Sequence, residues 1–165
     1  MLIVETGTGI ENANTYASLA ATDAYHNDRA NVAWTGAASQ YREAALINAT
    51  DYIEAQYLGG LTPLTTTQGL TYPLYGVSTA VNPIPAPLVR AVMLLALEAL
   101  AGPLAPTQTD RATLEEEKSL DGVGSTKTTY ASGKQARFPA VDALMSTIGR
   151  TRVGSNIRSI PLVRV

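Results

Sequence analysis

A chain of 165 residues is the length of one domain, with room for an appended arm, and its 45% apolar content is enough for a core and too high for a disordered chain. Charged residues are only 16%, which suggests a surface that largely faces other protein; the lack of cysteine and the single histidine, His26, exclude disulfides, thiolate metal sites, cysteine nucleophiles and any pair of histidines acting as acid and base. The net charge of −2 hides a split: residues 1–126 carry thirteen acidic and five basic side chains, whereas residues 127–165 carry seven basic ones and only Asp142.

Residues 1–17 mix β-branched residues with Gly7, Gly9, Asn12 and Asn14 and read as an extended, turn-rich opening. Ser18 is placed to cap a first helix over about residues 19–30. Residues 31–38 read as a loop holding the only tryptophan, Trp34. Ser39 opens the clearest helix, about 40–58, in which Leu46, Ala49, Ile53 and Tyr57 form one apolar stripe. Asn48, Asp51 and Glu54 fall on another side, and Gly59-Gly60 stops the helix. Residues 59–87 form a long Thr-, Pro- and Gly-rich connection whose tyrosines, with Tyr57, suggest that it packs on the body. The next helix, about 86–101, is apolar on nearly every side, the signature of a central, buried helix. Asp121-Gly122 between strand-like runs signals a hairpin at about 117–131. Residues 138–148 read as a short last helix before Gly149. The fold expected is mainly α: a small helical bundle, residues 1–149, with a short β-hairpin and an extended C-terminal arm, residues 150–165.

Candidate chemistry is sparse. Asp51 and Glu54, three apart, suit paired carboxylates, but no third ligand follows at helical spacing and the pair reads as a solvated face. His26 with Asp23 and Asp28 straddles different helix faces, so no metal site is expected. Gly7-Thr8-Gly9 lacks the Gly-Lys-Ser/Thr ending of a phosphate loop and the third glycine of a dinucleotide turn. No serine stands in a Gly-x-Ser-x-Gly elbow. Glu115, Glu116 and Glu117 form an acidic run suited to a solvated surface or a basic partner segment. These residues give no basis for an enzyme and call for no cofactor. The first residues lack a basic leader pattern, and the longest apolar run, Ala91–Leu97, is far below the roughly 18 residues of a membrane span, so a soluble chain is expected.

The arm carries the strongest functional signal. Arg150, Arg152, Val153, Ile157, Arg158, Ile160, Leu162, Val163, Arg164 and Val165 alternate basic and branched apolar side chains without a helical period and without a partner strand of their own. Such a segment can add to a partner's sheet edge or neutralise phosphates. Its last six residues are too apolar to sit comfortably in water.

Several blocks together resemble a phage family labelled DnaT-like: Val4-Glu5-Thr6-Gly7-Thr8-Gly9, Ala13-Asn14-Thr15-Tyr16-Ala17-Ser18, Arg42 through Ile53, Gln68-Gly69-Leu70-Thr71-Tyr72-Pro73, Ile84 through Ala91, Leu100 through Leu104, and Arg137 through Met145. The resemblance covers about residues 1–148. Tyr72, Leu74 and Ala21 depart from it, standing where the family often has tryptophan, arginine and an acidic capping residue. The family is similar to the head–tail adaptors, or connectors, of tailed phages. That similarity implies a helical subunit, twelve copies in a ring beneath the portal protein, and a C-terminal arm docked on the portal. The label itself implies single-stranded-DNA binding, which calls for aromatic platforms among basic side chains; here the tyrosines lie mostly in the acidic part and the tail has no aromatic residue.

The resulting expectation is a virion protein at the head–tail junction, made in the host cytoplasm. It would join the portal to a stopper, neck or tail-terminator protein and let double-stranded DNA pass without sequence recognition, with no membrane partner. The arm would contact the portal or a neighbouring copy. Asp51, Glu54, Glu115, Glu116 and Glu117 would supply an acidic contact or the channel face. A DnaT-like single-stranded-DNA-binding replication protein is the alternative.

Overall fold

The computed structural model describes residues 1–75, 84–105 and 138–148, together with the backbone of 113–117, 127–130, 152–153 and 156–157. The described residues are mainly helical. Helix α1 spans Leu19–Asn27 and begins as its capping residue dictates, with Ser18 Oγ accepting the Ala21 N–H at 3.2 Å. It stops short of residue 30, because Asp28 caps it and Ala30, at φ 52°, turns the chain away. Residues expected as loop then form a four-residue helix, α2 (Val32–Thr35). Tertiary anchoring explains it: Trp34 is completely buried and its indole N–H donates to Asp23 at 2.7 Å.

Helix α3 (Ser39–Ile53) runs directly into a π-helical turn, Glu54–Leu58, so one continuous rod occupies the expected span. Leu46, Ala49, Ile53 and Tyr57 are all buried, as their spacing predicts. Gly60, at φ 82°, takes the left-handed conformation after the last turn. The connection that follows lies on the N-terminal segment. Gly69 donates its N–H to Ile10 O at 3.0 Å, and a Cβ there would come 2.6 Å from Ala13 O, so the approach requires glycine. Tyr72 is buried edge-on to Tyr16, whereas Tyr75 is 71% exposed and does not pack as expected.

Helix α4 (Ala86–Ala101), with Pro87 in its first turn, packs against α2, α3 and the last helix, α5 (Pro139–Thr147). It buries Leu88, Val92 and Leu95, and α5 docks on it through Val141 and Met145. The expectation of an all-round buried helix needs correction, because Leu94, Leu97 and Leu100 remain half-buried. Within the single chain the neighbouring helices do not sheathe every side.

Chain packing divides the protein into two units, Met1–Leu104 with Phe138–Val165, and Ala105–Arg137. In the second, strand β1 (Thr113–Glu117) pairs antiparallel with β2 (Lys127–Tyr130), with Glu117 opposite Lys127 and an irregularity between Thr113 and Glu115. The expected Asp121–Gly124 turn lies outside the described residues. In the arm, β3 (Arg152–Val153) pairs antiparallel with β4 (Asn156–Ile157), a local pairing not expected of a segment read as having no strand partner of its own.

Candidate functional site

The glycine loop at the N-terminus binds an anion, but the anion is the chain's own. Glu5 is buried, and its Oε1 accepts the N–H groups of Gly7, Thr8 and Gly9 at 2.7, 2.9 and 3.0 Å while Oε2 accepts that of Ile10 at 2.7 Å. Gly7 and Gly9 make this wrap by taking φ of 97° and 77°. The backbone nest that superficially suggests a phosphate loop is thus filled from within. Sequence reasoning missed this role of Glu5; the readable signal is an acidic residue two positions before Gly-x-Gly.

His26 is likewise consumed. Its fully buried ring hydrogen-bonds Met93 O through Nε2 at 2.9 Å and the Asn31 amide through Nδ1 at 2.8 Å, so Nε2 is assigned the proton. Tyr25 and Trp34 pack on it, at ring-centroid distances of 5.2 and 4.7 Å. Burial pushes the imidazole pKa below its ordinary value. Asp23 is turned instead to Trp34 and to Arg42, whose Nη1 lies 2.6 Å away. Among the described residues no group of three or more His, Asp or Glu is placed to hold a metal ion.

The two acidic residues expected on one solvated face differ in setting. Asp51 is exposed on α3, whereas Glu54, at the start of the π-turn, is half-buried and accepts from Tyr16 OH at 2.6 Å and from the Thr71 hydroxyl and N–H. Tyr16 OH accepts in turn from the Tyr72 N–H. Burial first, and then the Glu54 carboxylate, drive the Tyr16 pKa far up. One turn on, Tyr57 donates to Asp142 at 2.5 Å and ties the π-turn to α5; burial and that bond raise its pKa as well. Glu54 is therefore an internal tie and not a free member of a channel face.

Of the other candidates, Glu115, Glu116 and Glu117 lie on β1, Arg152 and Val153 on β3, and Ile157 on β4, described as backbone. Arg150, Arg158, Ile160, Leu162, Val163, Arg164 and Val165 lie outside the described residues.

The structure adds a feature not anticipated from the sequence. Between α2, α3 and the end of α4 lies an open groove of about 420 Å³, lined chiefly by alanines with Tyr41, Asn48, Leu97 and Leu100. Tyr41 is 61% exposed and Val32, close by in sequence, 76%. Tyr41, Ala44 and Asn48, small and mixed residues at helical spacing on α3, are its trace in the sequence, and the groove itself needs α2 and α4 beside them.

Charges on the described helical body do not form a basic track. Arg29, stacked 3.5 Å over the Tyr25 ring, and Arg90 are exposed, against exposed Glu11, Asp28, Asp51 and Glu98. Over residues 1–165 the chain matches the family described as "Putative DnaT-like ssDNA binding protein". The chain belongs to this family. No curated protein and no solved structure matches it. Among the described residues no helix is long and apolar enough to cross a membrane.

Proposed function

We propose that this DnaT-like family member is a structural head–tail adaptor subunit of a tailed phage, not an enzyme. It forms a ring, twelve copies by family resemblance, below the portal, joins the head to a neck or tail protein, and leaves a channel for DNA. On this reading a hairpin around residues 117–131 accompanies the helical body, and the arm at 150–165, locally paired between β3 and β4, reaches the portal or a neighbouring copy. One observation carries the reading: of the candidate groups, His26, Asp23 and Glu54 are spent on internal structure, while Asp28 and Asp51 stand on the exposed surface. Glu5 fills its own loop, His26 bonds within the core, Asp23 ties Trp34 and Arg42, and Glu54 and Asp142 accept from tyrosines. What stays outside is a lightly charged, mostly acidic body, which a passing duplex would not adhere to. Head-to-tail contacts of one kind close into a ring when the rotation allows. Imaging the head–tail junction of intact particles tests this. A closed ring of this chain at the neck is expected; a monomer or a two-fold dimer there sinks the proposal.

The family description favours a second reading, a single-stranded-DNA-binding protein of replication. Tight, sequence-independent oligonucleotide binding by the full chain at physiological salt would support it.

A further inference from the structure

The groove along α3 has the lining and rim of a peptide site, and we infer that it receives the C-terminal segment Ile160–Val165 of a second copy of this chain. This rests on the ring reading and deepens it by naming one contact between subunits. The helical part of the lining, Tyr41 to Asn48, covers seven residue steps of α3, about 10 Å, and Ala37 and Ala33 continue it ahead of that helix. Ile160 to Val165 covers five steps, about 16 Å at the polyproline II rise. Pro161 suits that conformation and lacks the N–H that a central strand would use, so groove docking fits the segment better than addition to a sheet edge. Small side chains on the floor leave depth for Ile160, Leu162 and Val165, and exposed Tyr41 offers the ring such prolines pack on.

Charge agrees with this occupant. Asp51 stands one helical turn beyond Asn48, and Glu98 one turn before Ala101, so two exposed carboxylates flank the groove. Arg158 precedes the apolar stretch Ile160–Val163 and Arg164 follows it. Carboxylates can receive guanidinium groups bidentately, which lysine would not reproduce. Arg90, exposed two turns before Leu97 on α4, is a cation farther along that helix and outside the lining.

The test places a photo-crosslinking residue at Leu162 in the full chain. Isotope-labelled and unlabelled protein are mixed at millimolar concentration, irradiated, and mapped by peptide mass spectrometry. Mixed-isotope crosslinks from position 162 to residues 33–48 or 97–101 are expected. They should be lost when Ala44→Trp fills the groove while circular dichroism shows the helices intact. Crosslinks to the groove within single chains only would show self-covering and overturn the inference, as would crosslinks elsewhere or none. A ring at the neck whose tails crosslink elsewhere sinks this contact alone; groove crosslinks between copies of a protein absent from the neck sink only the adaptor reading.

Discussion

Buried charge without a partner is the costly state, and two residues show how this chain avoids it. Glu5 meets four backbone N–H groups. Replacing it with alanine leaves those donors without an acceptor, and the expected loss is about 2–3 kcal/mol, read as a lower urea midpoint. Added phosphate should restore part of that loss in Glu5→Ala and do nothing comparable for the wild type, since only the variant has an open nest. His26 makes stability depend on pH. Its folded-state pKa lies below the ordinary 6.5, so the unfolded chain takes up the proton first as pH falls. Stability is therefore flat above about pH 6.5 and declines below it, by at most about 1.4 kcal/mol per unit. Urea midpoints between about pH 7.5 and about pH 5.5 should show that slope in the wild type and a flatter line in His26→Gln. An equal slope in both would remove His26 as its source. The sequence showed that His26 stood alone; it could not show the burial, because Met93, its partner, is distant in the chain.

At the scale of elements, local rules carried most of the assignment. A serine cap, a stripe at helical spacing, Pro87 near a helix start and glycine stops place α1, α3, α4 and α5 close to their expected spans. The misses have non-local causes. Helix α2 depends on Trp34 reaching Asp23 and His26, and the π-turn places Glu54 and Tyr57 toward Thr71 and Asp142, far along the chain. Tyr57→Phe should cost about 1 kcal/mol. Hydrogen exchange should locate the effect: α5 amides exchange faster while the centre of α4 is unchanged. In α4 the two kinds of leucine should separate. Leu95→Ala, in the sealed core, should cost about 2–5 kcal/mol, and Leu97→Ala, at the groove, clearly less.

For the whole molecule, the division of charge between an acidic body and a basic end sets the expected behaviour toward DNA. Binding of full-length protein to a labelled single-stranded oligonucleotide should be weak at physiological salt and steeply salt-dependent. It should fall further when Arg152 and Arg158 are both changed to glutamate. Binding that stays tight in this double variant would place the DNA contact on the body. Deleting 150–165 should leave the helical circular dichroism signal intact and abolish capture by portal rings; undiminished capture would show that the arm has no part in docking. The candidate site was only half legible in the sequence. Composition singled out the basic, apolar segment 150–165 that we propose as a docking arm, whereas the groove appears only when α2, α3 and α4 come together.

Trp34 is the sole tryptophan, and its indole lies against the sole histidine. That pairing gives the chain an intrinsic optical reporter. Indole emission from this site reports one place in the core, with no second fluorophore of its kind to confuse the signal. Imidazolium quenches indole more strongly than neutral imidazole, so a proton on His26 inside the folded core should dim the emission without moving it to the red. Opening of the core should move the emission to the red. Intensity and wavelength together separate the titration of one ring from the unfolding of the helices around it, without a label on the protein.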